Sequence, residues 1–103
     1  MEGVELISFQ IISAVGTARS MYIEAIDLAH EGKFDEAEEL IAQGKEAFNE
    51  GHHAHAELIQ KEAAGEKTEF ALLLMHAEDQ LMSAEAFGIL SEEFVKVYKT
   101  MKK

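Results

Sequence analysis

In 103 residues the chain carries 20 acidic and nine basic side chains, a formal charge of −11, with no cysteine and no proline. Binding a phosphate backbone needs clustered Lys and Arg, so nucleic acid is excluded as a partner, and without cysteine there is neither a disulfide nor a thiolate metal site. The length fits one domain spanning residues 1–103, and a hydrophobic share of 48% that recurs periodically excludes disorder.

Ala, Glu, Leu and Lys are abundant, which favours helix almost throughout. A first helix is predicted from about Gly3 to His30, where Val4, Ile7, Ile11, Val15 or Ala18, Tyr22, Ile26 and Ala29 trace one apolar face. Gly32 is placed to end it. A second helix begins near Phe34, with Asp35 and Glu36 at its positive end, and runs through Ile41, Phe48 and Ile59 to about Ala64, where Gly65 stops it. The segment GEKTE reads as a loop, with Thr68 the expected N-cap of a third helix from about Glu69 to Lys103. That helix closes in KTMKK, which puts cations at its negative end.

Helices of ~30 residues are ~45 Å long. Short connections between them imply an all-α, antiparallel, up-down-up three-helix bundle. So thin a rod cannot cover all its apolar stripes with two neighbours, and assembly into a closed symmetric oligomer is expected. The start, MEGVELISFQ, lacks the basic region of a signal peptide, and no apolar run approaches the roughly 20 residues of a membrane span. A cytoplasmic protein with no direct membrane insertion is expected.

The stretch FALLLMHAEDQLMSAEAF, residues 70–87, breaks a pattern. Read every three or four residues, Leu72, His76, Asp79, Ser83, Ala86 or Phe87, Leu90, Phe94, Val97 and Met101 form one stripe that three polar residues interrupt. Burying a polar group without partners costs roughly 2–7 kcal/mol, so the interruption needs a cause. One reading rotates the true seam onto Leu73, Leu74, Leu81 and Met82, makes His76 an ordinary helix histidine with its hydrogen bonds satisfied, and leaves Asp79 in solvent. The other makes His76 a nucleophile at a helix interface, since neutral imidazole is a usable phosphoryl acceptor near pH 7. If the third helix lines a symmetry axis, copies of Asp79 meet there and call for either a proton or a hard cation with oxygen ligands. Met75 and Met82 flank His76 and suit core filling or an apolar docking collar.

Elsewhere NEGHHAHAELIQ supplies His52, His53 and His55, and Glu50 with His53 has the Glu-x-x-His spacing of di-iron bundles. A full site needs a second such pair, for which Asp27 with His30 is the nearest substitute. His55 shares a stripe with Phe48 and Ile59 and suits packing or hydrogen bonding, while His52 and His53 suit solvent. DEAEE reads as a solvated face.

FALLLMHAEDQLM, taken with AELIQKEAAGEKTEF upstream and ISAVGTARSMYIEAI near the start, resembles the lactose/cellobiose-type enzyme IIA component of the phosphoenolpyruvate-dependent sugar phosphotransferase system (PTS) across essentially the whole chain. The resemblance implies a homotrimer of three-helix protomers, with His76 as the phosphorylated histidine and Asp79 gathered around a divalent cation, Mg²⁺, on the three-fold axis. It implies a relay from the phosphohistidine of HPr to His76 and on to a cysteine of the cognate IIB component, serving uptake of a β-linked disaccharide. Gln80 and Ser83 are then candidate donors to the phosphoryl oxygens, and Glu78 a candidate for orienting the imidazole. The family often carries histidine where this chain has Gln80 and glutamine where it has Glu78.

Two other classes remain beside it. A non-enzymatic helical scaffold would oligomerise through the same stripe without taking phosphate. A metal-binding bundle would use Glu50, His53, Asp27 and His30.

Overall fold

Two glycines decide where the first two helices end. In the computed structural model, which describes residues 3–102, α1 spans Gly3–His30, α2 spans Phe34–Ala63 and α3 spans Leu72–Met101. Gly32 takes φ 84° and Gly65 φ 93°, a left-handed turn that side chains with a Cβ rarely adopt. Around Gly32 the backbone closes with Lys33 N–H donating to Leu28 C=O at 2.9 Å and Gly32 N–H to Ala29 C=O at 3.0 Å. Around Gly65 the same pair recurs, from Glu66 to Lys61 and from Gly65 to Glu62. Both are Schellman closures, which satisfy carbonyls that a helix end leaves open.

The start of α3 differs from expectation. Thr68 does not cap it: the helix begins at Leu72, after an extended Ala71 that makes no side-chain cap bond. The other end of the predicted helix, Lys103, lies outside the described residues.

The helices stack up-down-up into a rod of 55 × 23 × 19 Å, in which α1 and α3 run parallel. α1 is the central element and packs more extensively on each neighbour than the neighbours pack on each other. Its predicted face is buried at Ile7, Ile11, Val15, Ala18, Tyr22 and Ala29, while Val4 and Ile26, expected there too, are half-buried and Ala25 goes inside. On α2 the face is set by Ala37, Ile41, Ala54 and Leu58, and Ile59, expected on that face, is 55% exposed. Much of this core is alanine and glycine, so the helix axes approach closely. Tyr22 fills the notch this leaves: a Cβ on Gly44 would lie 2.7 Å from its ring, and one on Gly88 2.9 Å. Burial, and secondarily the carboxylate of Glu92, push the Tyr22 phenol above its usual range. The buried hydroxyls of Ser8 and Ser91 donate to the carbonyls of Val4 and Gly88, each at 2.7 Å.

Helix α3 has two apolar faces, which reconciles the two readings of its stripe. Ala77, Leu81, Ala84, Gly88, Ser91 and Val95 are buried against α1 and α2, with Leu73 and Leu74 half-buried beside them. The opposite face carries Leu72, Met75, Met82, Ile89, Leu90, Phe94, Val97 and Met101, all exposed in the protomer. Thus Leu81 does belong to the inner seam, while Met82 does not. No helix among the described residues is long and apolar enough to cross a membrane.

Candidate functional site

His76 and Asp79 lie exposed on α3, about one turn apart, at the N-terminal end of that bare face. Each residue turns an α-helix by about 100°, so neighbours three or four apart share a flank and those two apart are thrown to opposite sides. Leu73 and Gln80, three residues before His76 and four after it, both turn toward α1: Leu73 lines a hollow with Val4 and Ser8, and Gln80 meets Arg19. His76 therefore sits on the α1 side of α3. Leu72, Leu73 and Met75 wall an open apolar hollow beside it.

Glu78 goes to the other side. Its Oε1 lies 2.6 Å from His55 Nε2 of α2, where the ring N–H donates to the carboxylate. Within the protomer the partner of Glu78 is thus His55 and not His76, and the predicted interface role of His55 takes the form of this bond. Gln80 is half-buried, and its Oε1 accepts from Arg19 Nη1. Ser83 is half-buried on the same flank as His76 but seven residues on, about 10 Å along the axis, so Gln80 is the nearer donor. Two tethers, one to each neighbouring helix, thus bracket the turn that carries Asp79 and hold His76 outward.

Sequence reasoning missed Arg19. The available signal was a lone guanidinium beside the core positions Ala18 and Tyr22 of an acidic chain. Its partner could not be read without the register of α1 against α3, which the up-down-up order alone leaves open.

The alternative metal-binding bundle does not assemble. Glu50 and His53 border a groove with Ser13, Ala14 and Thr17 of α1. Asp27 lies at least ten residues farther along α1, about 15 Å away at 1.5 Å per residue. His30 sits against the Tyr98 ring, with centroids 5.3 Å apart, at that same far end. Among the described residues no three His, Asp or Glu side chains converge on a metal position within the protomer.

Comparison with known proteins gives the family and agrees with the fold. Residues 6–99 match the family described as PTS system, Lactose/Cellobiose specific IIA subunit. The oligo-β-mannoside-specific EIIA component of Bacillus subtilis (strain 168) is 47% identical over 96 residues, covering 93% of this chain and 87% of that protein. A crystal structure of the cellobiose-specific enzyme IIA from Bacillus anthracis superposes with a TM-score of 0.96 at 48% identity, covering 99% of this chain and 94% of that one. The chitobiose IIA component of Escherichia coli, solved in solution in complex with HPr, gives a TM-score of 0.85 at 29% identity with both chains fully covered at 100%. An all-helical protomer, the exposed histidine of a His-Ala-Glu-Asp-Gln-Leu-Met motif and a match along nearly the whole chain converge: this protein belongs to the lactose/cellobiose-specific IIA subunits of the PTS, which are phosphotransferase relay proteins.

Proposed function

We propose that the chain is a cytoplasmic phosphocarrier in which His76 takes a phosphoryl group from the phosphohistidine of HPr and passes it to a cysteine of the cognate IIB component. The observation that carries this reading is an imidazole exposed on the flank of α3, beside a fixed amide and an apolar hollow that a partner can seal from water. In the first step one ring nitrogen of His76 attacks phosphorus in line, the P–N bond to the donor imidazole breaks, and that ring recovers its lone pair. Each imidazole keeps the proton on its other nitrogen, so no external base is needed. In the second step a thiolate attacks phosphorus and His76 leaves as neutral imidazole. Such transfers depend on positioning and charge stabilisation rather than on protein covalent chemistry beyond the acceptor itself.

The complex of the chitobiose relative with HPr supports HPr as donor. The charge of −11 suits partners with a basic docking face. Gln80 supplies the amide donor nearest the phosphoryl oxygens, with Ser83 farther back, and Glu78 acts on the position of α3 through His55. The β-linked sugar is left to the membrane component: relatives of comparable similarity are named for oligo-β-mannoside and cellobiose.

The bare face of α3 is the surface through which three protomers associate into a homotrimer. Asp79, set in that face between Met75 and Met82, then brings three carboxylates together. Their hard oxygens fit a divalent cation such as Mg²⁺, and Asp79 would hold it. When bound, the cation supplies neutralisation of those carboxylates at the axis.

The test is intact mass after incubation with phosphoenolpyruvate, enzyme I and HPr. Wild type gains one acid-labile group of about 80 Da, a phosphoryl group on one nucleophile, and His76→Gln gains none. Addition to His76→Gln would remove the assignment.

A further inference from the structure

We propose that Arg19 is a positioning residue for the acceptor site: from α1 it grips the oxygen of Gln80, so that the amide nitrogen is presented toward the phosphoryl group on His76. This rests on the reading of His76 as acceptor, and deepens it.

Three observations carry it. The first is chemical. A guanidinium only donates, so the atom of Gln80 that meets Arg19 Nη1 is the oxygen, and the NH₂ end points away from α1's cation. An amide with no such partner can turn either end outward, and its oxygen would repel a phosphoryl dianion.

The second is reach. The parallel packing sets Tyr22 beside Gly88, an offset of 66 residues (88 − 22), which puts Glu85 level with Arg19. The bond to Gln80 thus takes the Arg19 side chain back by five residues, about 7 Å along the axis, toward His76. That arm is spent in the direction of the acceptor.

The third is charge. Among the described residues, Lys33, Lys45, Lys96 and Lys99 are each engaged with a carboxylate and Lys61, Lys67 and Lys102 stand exposed without one, whereas Arg19 is half-buried with no carboxylate within ion-pair distance. In a chain of charge −11, a half-buried guanidinium without a carboxylate leaves its field to act on an anion arriving one turn from Gln80. Gln80 then works as an oriented donor with a cation behind it, and the cost of orienting the amide is met by folding rather than during transfer.

The experiment is rapid-quench transfer from phospho-HPr to the full-length protein, with thermal melts run in parallel. Arg19→Met, which misorients the donor without deleting it, is expected to lower the transfer rate roughly 10- to 100-fold, at or below the roughly 100- to 1000-fold seen when an oxyanion donor itself is removed. Gln80→Met loses the donor but keeps the cation and should also slow transfer, and the double variant Arg19→Met/Gln80→Met should transfer no more slowly than Arg19→Met, because loss of Arg19 already removes both the field and the orientation of the amide. Gln80→Glu keeps an oxygen for Arg19, and so keeps the tether, but removes the donor; it should melt like wild type and transfer as poorly as Arg19→Met. In ³¹P spectra the phosphoryl group on His76 should titrate at higher pH in Arg19→Met than in wild type, a change that loss of packing alone would not produce. Wild-type rates in Arg19→Met or Gln80→Glu, losses that multiply in the double variant, or an unmoved ³¹P titration would each overturn the proposal. Absence of any phosphoryl transfer to wild type would overturn the acceptor reading itself.

Discussion

Two glycines that look alike on paper separate sharply once their surroundings are known. Gly44 faces the ring of Tyr22, with a Cβ there 2.7 Å from Cε1, and the ring is wedged from the other side by Gly88. Gly16 has nothing within 4 Å of where its Cβ would stand. Overpacking costs about 1–3 kcal/mol, whereas alanine in a helix gains up to about 1 kcal/mol over glycine. Gly44→Ala should therefore lower the melting temperature and Gly16→Ala raise it, as differential scanning calorimetry would show. At His76 exposure makes the opposite case. His76→Gln should melt within about 0.5 kcal/mol of wild type while losing phosphorylation, so that loss of function is not loss of fold.

Among the helices, α2 and α3 share the least contact, and near the C-terminal end of α2 and the N-terminal end of α3 a side-chain bond joins His55 to Glu78. The two side chains are 17% and 45% exposed, so solvent screens the pair and its removal should cost only about 0.5 kcal/mol globally. Locally the effect is larger in consequence. Beyond Leu58 the rest of α2 and the connection through Phe70 are exposed apart from a half-buried Thr68. His55→Ala should accelerate amide hydrogen exchange in residues 59–72 while leaving 34–50 unchanged. Equal exchange in both segments would mean that Glu78 does not tether α3 to α2.

At the level of the molecule, the bare face of α3 dominates. Eight large apolar residues from Leu72 to Met101 stand exposed along a rod only 23 × 19 Å in section, more than a solitary protomer ordinarily displays on one face. The proposed assembly through this face would put Asp79 among apolar neighbours, where a carboxylate needs a counter-charge or a proton. A leucine of similar size can replace a buried ionic site without loss of stability. Asp79→Leu should thus still sediment as a trimer and retain no divalent metal after dialysis against a trace chelator. A monomeric Asp79→Leu would instead make the carboxylate and its ion the agents of assembly.

What this sequence determined by itself is local or periodic. The left-handed turns at Gly32 and Gly65 depend on a few neighbouring dihedrals, so the ends of α1 and α2 were readable to the residue or nearly so. The apolar face of α1 was readable from its period, although Leu6, Phe9 and Ile23 lie outside it and stay exposed. The placement of His76, Asp79 and Gln80 on adjoining faces follows from helical spacing alone. What only the tertiary structure decided is which contacts win. Helix α3 has two faces with the same period, and the one built of Ala77, Ala84 and Gly88 went inside because small residues let axes approach, leaving the bulkier face outside. Leu58 displaced Ile59 for the same reason of competition between neighbouring positions. Thr68 lost its capping role because α3 starts three residues later than expected, at Leu72, after an uncapped extended residue. The bonds that flank the turn carrying Asp79 join residues 23 and 61 positions apart, and no local preference encodes a partner at that distance. They exist because three helices of fixed length, folded back on one another at two glycine turns, bring α1 and α3 side by side in parallel register.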